Sequence, residues 1–269
     1  MRCDRDEVWR ATRTPHGPAC LHLRVTAGML DVRAWGPGGQ WALESVPDLV
    51  GVADDDSGFV VHHPIVGDLR GRFAGVRLGR TGAVIEALVP AILEQKITGV
   101  EARRAWRRLV LRFGEPAPGP CGLFLPPAPD LLARQPYYAF HLVGIERRRA
   151  ELIQGACGRA AWLEQAAELP REVAYRRLSS IRGIGPWTAA EVGLRAFGDA
   201  DAVPVGDYHV PNLVSWALAR EPRGSDRRML ELLEPYEGNR GRVIRLLEVS
   251  GITAPRYGPR APARDISRL

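Results

Sequence analysis

The sequence predicts a mainly α-helical protein: a small N-terminal antiparallel α+β domain followed by an all-helical body. Two observations carry this. Between residues 19 and 43, apolar side chains alternate with period two and are interrupted by glycine-rich turns. From about residue 80 the period lengthens to that of an amphipathic helix and persists almost to residue 250. The boundaries that follow are 1–78 for the N-terminal domain, 79–253 for the helical body and 254–269 for a loose tail rich in arginine and proline.

The elements follow in chain order. Leu21, Leu23 and Val25 point one way, and Leu30, Val32 and Ala34 repeat the pattern after the Ala27-Gly28 turn. Trp41 and Leu43, past the Gly36-Pro37-Gly38-Gly39 turn, continue the meander, which carries a short helix at 45–49. Asp54, Asp55 and Asp56 read as a solvated turn, since the other ligands of a calcium loop are missing. The adjacent His62 and His63 are poorly spaced for joint metal ligation and read as a loop or strand end. Val84, Leu88, Ile92 and Leu93 form one apolar stripe. Thr98 and Glu101 form a capping box that opens a helix with Trp106, Leu109 and Val110 inward. Six prolines between 115 and 129 mark a connector. A helix follows at 171–180, and Thr188 with Glu191 reads as a second capping box, for a helix reaching about Phe197.

Composition narrows the function classes. The 269 residues suffice for a buried core, and no apolar run approaches the ~20 residues of a membrane span. The charged start MRCDRDEVWR lacks the apolar middle of a signal peptide, so a cytoplasmic, nucleoid-associated location is expected. Cys3, Cys20, Cys121 and Cys157 are scattered and suggest neither a zinc site nor a disulfide framework. The net charge of +6 is compatible with a nucleic-acid partner, or with an arginine-rich composition alone. Lys96 is the only lysine.

The stretch SIRGIGPWTA (180–189) places two glycines, Gly183 and Gly185, between two helical runs. Glycine tolerates positive φ and lets an outside group approach the backbone. The helix start that follows presents N–H groups and a positive dipole end, which suits an anion such as phosphate. Ile184 anchors such a turn. Downstream, the apolar segment VPVGDYH (203–209) ends in Asp207 at a helix start, where the carboxylate serves as a cap, a catalytic group or both.

On the motifs AILEQKIT (91–98), GIGPWTA (183–189) and VGDY (205–208), in this order and spacing, the chain resembles the helix-hairpin-helix DNA glycosylases, in the branch of 3-methyladenine DNA glycosylase II. The resemblance covers most of residues 80–250, and the N-terminal meander fits the mixed lobe of that branch. It implies a base-excision repair enzyme that flips an alkylated purine of the 3-methyladenine type out of duplex DNA and hydrolyses its N-glycosidic bond. It implies Asp207 as catalytic carboxylate, with Gly183, Ile184, Gly185 and Thr188 at a DNA phosphate. Gln95 and Lys96 would enter the gap left by the flipped base. Trp187 and Tyr208 match two aromatic positions of the base pocket. Trp187 also stands where some members carry a nucleophilic lysine, which favours a monofunctional enzyme. No cysteine follows Cys157, so the iron–sulfur cluster of other members is not expected. No cofactor is implied beyond a monovalent cation at the hairpin. The branch acts as a monomer.

The chain departs from the branch in three places. Lys96 replaces an apolar or amide residue and is either a DNA contact or a plain surface lysine. Glu191 and Glu248 replace pocket aromatics, and each is either a pocket carboxylate or, respectively, a capping residue and a solvated one. The last helix brings Arg240, Arg242 and Arg245, read either as phosphate contacts or as partners of nearby glutamates. Two alternatives stay open: a bifunctional glycosylase/lyase using Lys96, and a non-catalytic module that binds damaged DNA.

Overall fold

The computed structural model describes residues 1–4, 6–255 and 265–268. Four strands, β1 (Arg2–Cys3), β2 (Glu7–Thr14), β3 (Gly17–Thr26) and β4 (Met29–Trp35), form one antiparallel meander in that order. The helices are α1 (Gly39–Glu44), α2 (Val46–Leu49), α3 (Pro64–Arg72), α4 (Val84–Glu94), α5 (Gly99–Phe113), α6 (Pro129–Arg134) and α7 (Tyr137–His141). Then come α8 (Arg147–Cys157), α9 (Ala160–Glu164), α10 (Arg171–Ser179), α11 (Pro186–Val192), α12 (Val210–Ala219), α13 (Asp226–Leu233) and α14 (Arg240–Val249). The chain divides into two compact units that are discontinuous in sequence. One holds 1–47, 83–170 and 262–269, and the other 48–82 and 171–261. Both units interleave sequence segments, whereas the linear division at residue 78 assumed one block after another. Among the described residues, no helix is long and apolar enough to cross a membrane.

In the first unit the β3–β4 turn uses Ala27 and Gly28, both at positive φ (48° and 77°), the geometry that matches strand twist in a two-residue hairpin loop. The strand β2 escapes the alternation because its inward face is partly polar. Arg10 donates to Glu86 Oε1 at 2.7 Å and Thr12 to Glu86 Oε2 at 2.5 Å, so a carboxylate of α4 satisfies them. Trp41 and Leu43, expected as strand, lie in α1 instead. Gly36, at φ 99°, turns the chain off the sheet, and one helical turn then lays Ala42 into the core. The apolar stripe of α4 is buried along nearly its whole length. Its N-terminus is closed by Glu164, which accepts from the Val84 and Ile85 amides at 2.7 and 2.9 Å. The capping box at α5 forms as expected, with the Glu101 amide donating to Thr98 Oγ1 and Glu101 reaching back to the Thr98 amide. Of the tail expected at 254–269, residues 256–264 lie outside the described residues. Asp265 is not loose: it accepts two hydrogen bonds from Arg108 of α5, both at 3.0 Å.

In the second unit, α3, α12, α13 and α14 enclose a core of Val66, Leu69, Val214, Met229, Leu233 and Leu247. The expected solvated aspartate turn is corrected here. Asp54 points inward, with its side chain 4% exposed, and pairs with a buried arginine, Arg242. Tyr236 is buried beneath His62 and His63, and its hydroxyl accepts from the His63 amide at 2.9 Å. Helix α14 approaches the 199–203 segment closely because Gly241 has no side chain. A Cβ there would lie 2.7 Å from the Ala202 carbonyl oxygen and 2.9 Å from its nitrogen, both backbone atoms. Gly241→Ala is therefore expected to cost about 1–3 kcal/mol by overpacking. A thermal melt should show it as a loss of about 2–4 °C for each kcal/mol.

Candidate functional site

The hairpin lies in the second unit. Helix α10 ends at Ser179, Gly183 takes φ 104°, and Gly185 is the extended N-cap of α11. Ile181 and Ile184 are buried, at 6% and 4% exposure, and pin the turn from beneath. The Ile184 amide donates to the Ile181 carbonyl at 2.9 Å. A Cβ at Gly185 would meet nothing within 4 Å, and its φ of −94° suits any residue. Neither packing nor backbone conformation therefore demands glycine at 185, but a group approaching from outside would.

Helix α11 begins two residues before the capping box expected at Thr188. Pro186 occupies its first turn with φ already preset, so Gly185 becomes the cap and Thr188 is buried inside the helix at 2% exposure. Glu191 pairs with Arg195 at 2.7 Å instead of capping. A π-helical segment, Gly193–Phe197, follows and ends at Gly198 with φ 62°.

Both flanks of the hairpin are braced by Asp199, which sequence reasoning missed. The Tyr175 hydroxyl of α10 donates to Asp199 Oδ2 at 2.6 Å, Arg171 pairs with Oδ1, and the Asp201 amide donates to Oδ1 at 2.9 Å. Burial first, and then the Asp199 carboxylate, push the Tyr175 hydroxyl above its ordinary pKa. Tyr175 packs directly on Gly193, where a Cβ would lie 1.9 Å from its oxygen. Nothing local in the sequence marks this network, because its members are separated by up to 28 positions.

Asp207 follows Gly206, whose φ of 93° turns the chain into α12. Its carboxylate is tightly held. Oδ1 accepts from the His209 amide at 2.6 Å and the Val210 amide at 2.9 Å, and Oδ2 accepts from the Trp187 indole at 2.8 Å. The backbone bonds make Asp207 the cap of α12, and the indole ties it to the first turn after the hairpin. Capping and a role in chemistry are thus compatible in one side chain. Trp187 is partly buried, whereas Tyr208 is 84% exposed and projects into solvent.

The charged residues of α14 divide. Arg242, expected at a phosphate, is instead buried at 5% exposure and bidentate to Asp54. A guanidinium committed in this way cannot reach DNA. Arg240 is partly exposed but engaged with Asp201, which accepts from its backbone amide at 3.1 Å and its Nε at 2.8 Å. The Asp201 hydrogen bond raises the Arg240 pKa. Glu248 lies on the exposed face of α14 and pairs with Arg245 at 3.3 Å.

The remaining candidates, Gln95 and Lys96, belong to the first unit. Gln95 ends α4, and Lys96 takes φ 55°, a left-handed conformation uncommon for a side chain of its size. Buried Arg149 donates to the Gln95 carbonyl at 2.9 Å on one side, and the Thr98 capping box fixes the chain on the other. Strain of this kind persists where flanking contacts over-determine the backbone.

No family model matches the chain. It is 29% identical over 146 residues to a probable bifunctional transcriptional activator/DNA repair enzyme AlkA of Mycobacterium tuberculosis. That match covers 52% of this chain and 29% of the mycobacterial protein's length. It is 26% identical over 168 residues to a putative DNA-3-methyladenine glycosylase, YfjP, of Bacillus subtilis, covering 61% of this chain and 58% of that protein. In structure it is similar to the 3-methyladenine DNA glycosylase of Archaeoglobus fulgidus, with a TM-score of 0.76 and 22% identity. That superposition covers 92% of this chain and 88% of the other, and it shows the fold.

Proposed function

We propose that this chain, a member of the helix-hairpin-helix DNA glycosylase superfamily, hydrolyses the N-glycosidic bond of alkylated purines in duplex DNA. The observation that carries the reading is the Asp207 carboxylate held by the Trp187 indole one turn beyond the hairpin. The named relatives support the same reading. The hairpin at Gly183, Ile184 and Gly185, with the start of α11 at Thr188, would hold a DNA phosphate against backbone N–H groups and the helix dipole. Gln95 and Lys96 would contact the duplex from their fixed turn. Flipping costs a few kcal/mol of unstacking, least at a damaged base.

Cleavage builds positive, oxocarbenium-like charge on the sugar. A fixed anion stabilises that charge without reorganising, and most strongly where water is excluded. Asp207 is such an anion. Its oxygens keep acceptor directions beyond those given to Trp187, His209 and Val210, and can also orient the attacking water. A cationic alkylated base is already a good leaving group, so no further acid or cofactor enters the proposed step.

The test is chromatography of free bases after incubation with methylated duplex DNA. Release of 3-methyladenine or 7-methylguanine is expected; absence of any released base would overturn the reading in favour of a non-catalytic damage binder. Trapping with borohydride separates the monofunctional from the bifunctional form. No covalent protein–DNA adduct is expected, and an adduct lost in Lys96→Ala would assign a lyase step to that amine.

A further inference from the structure

The partly exposed stripe of the helix after the hairpin runs from Trp187 through Glu191 to Arg195, positions four apart that share a face. Trp187, at its head, holds Asp207 through the indole N–H. Glu191 is the next side chain along that face. Its carboxylate pairs with Arg195 at 2.7 Å, and the exposures are unequal: 16% for the Glu191 side chain against 42% for Arg195. In an ordinary solvated pair of this spacing both ends reach water and the contact contributes little. Here the carboxylate is the sheltered partner and the guanidinium lies on the outer side. The arrangement fixes the direction of the carboxylate and reduces its hydration.

We infer that Glu191 is a specificity residue of the proposed glycosylase site, taking a hydrogen bond from the donor edge of the flipped base and favouring positively charged N-alkylated purines over uncharged bases of similar shape. Arg195 is its positioning residue. The inference rests on the glycosylase reading and names the substrate class of the same site. Alkylation of a purine ring nitrogen gives the base a delocalised positive charge that reaches its exocyclic amine. A carboxylate in a partly dehydrated setting gains a charge-assisted hydrogen bond from that edge, roughly twice as strong as a neutral one. The Trp187 face beside it also attracts a cation. A carboxylate has about four acceptor directions, so pairing with Arg195 and reading a base are compatible.

The test compares wild type with Glu191→Gln, which keeps the shape and removes the charge. Three quantities are measured: kcat/KM for release of alkylated purines from methylated duplex, release of hypoxanthine from an inosine duplex, and affinity for a duplex carrying an abasic-site analogue. Alkylated-purine release is expected to fall about tenfold or more, the scale of a lost hydrogen bond to a charged group. Hypoxanthine release should not fall, and abasic-duplex affinity should be unchanged, since no base is present to be read. The abasic measurement also reports that the variant is folded. Arg195→Gln should lower alkylated-purine release by a smaller factor. Unchanged alkylated-purine release in Glu191→Gln overturns the inference, as does an equal fall for hypoxanthine or a parallel fall in abasic affinity. If wild type itself frees no alkylated purine, the glycosylase reading fails first, an outcome distinct from these.

Discussion

Asp207→Asn is expected to lower base release from methylated DNA by about 10²–10³-fold, the scale of removing one preorganised electrostatic contact from a developing charge. The side chain accepts from two backbone amides on Oδ1 and an indole N–H on Oδ2. An asparagine carries one acceptor oxygen and one NH₂ group. If its oxygen faces the His209 and Val210 amides, the cap of α12 survives, but the NH₂ then meets the Trp187 indole donor to donor. Both effects act on catalysis: the negative charge opposite the sugar is gone, and the tie to Trp187 is broken. Stability should change much less, by about 1 kcal/mol, because the capping bonds can persist. Duplex binding should be retained, since the hairpin contacts do not involve residue 207. Base release and abasic-duplex affinity measured together check this. Loss of both at once would mean that Asp207 serves the fold and not the chemistry.

The parts of the molecule that were readable in sequence are those whose determinants are local. Gly183, Ile184, Gly185 and Pro186 specify a tight turn and a helix start within a few positions, and the structure forms them there. Thr98 and Glu101 close a capping box across three residues. Misreadings arose where a partner lies far along the chain. The strand β2 looks polar on one face until Glu86, more than 70 positions on, takes up Arg10 and Thr12. Thr188 resembles a cap in spacing, yet Pro186 starts the helix earlier. Asp54 reads as a turn residue until Arg242, 188 positions away, is placed against it. For the same reason Arg242 reads as a surface cation in a helix rich in arginines. The two discontinuous units have one cause with these errors: segments that pack together are separated in sequence, and spacing alone does not reveal the pairing.

Arg242→Met is expected to destabilise the protein by about 3–5 kcal/mol, the effect of removing one partner from a buried ion pair. The Arg242 and Asp54 side chains are 7% and 4% exposed. Arg242 donates to both Asp54 oxygens, at 2.9 and 2.6 Å, and its Nε donates to Asn239 at 2.8 Å. Asp54 Oδ2 also accepts from the Leu78 amide at 2.9 Å. Methionine fills most of the space but leaves the carboxylate charged and dry, with one backbone donor. Coupling is the discriminating quantity. In a cycle with Asp54→Asn, the double variant should be less destabilised than the sum of the singles, because the orphaned charge is absent. Denaturant titration of the four proteins measures it. Acidity should narrow the gap between wild type and Arg242→Met. Burial by itself would raise the Asp54 pKa, but the Arg242 hydrogen bonds, the Leu78 amide and the arginine charge outweigh it and hold the carboxyl below its ordinary value. A carboxylate depressed in the folded state contributes stability that is fully present above its unfolded pKa, about 3.9, and is lost as the pH falls through the folded value. Without Arg242 that contribution has no source, and protonation relieves the orphaned charge instead. Wild type should therefore lose stability over this acid range while Arg242→Met loses less, and a gap that stayed constant from neutrality to about pH 3 would show that the pair contributes through packing and not through charge.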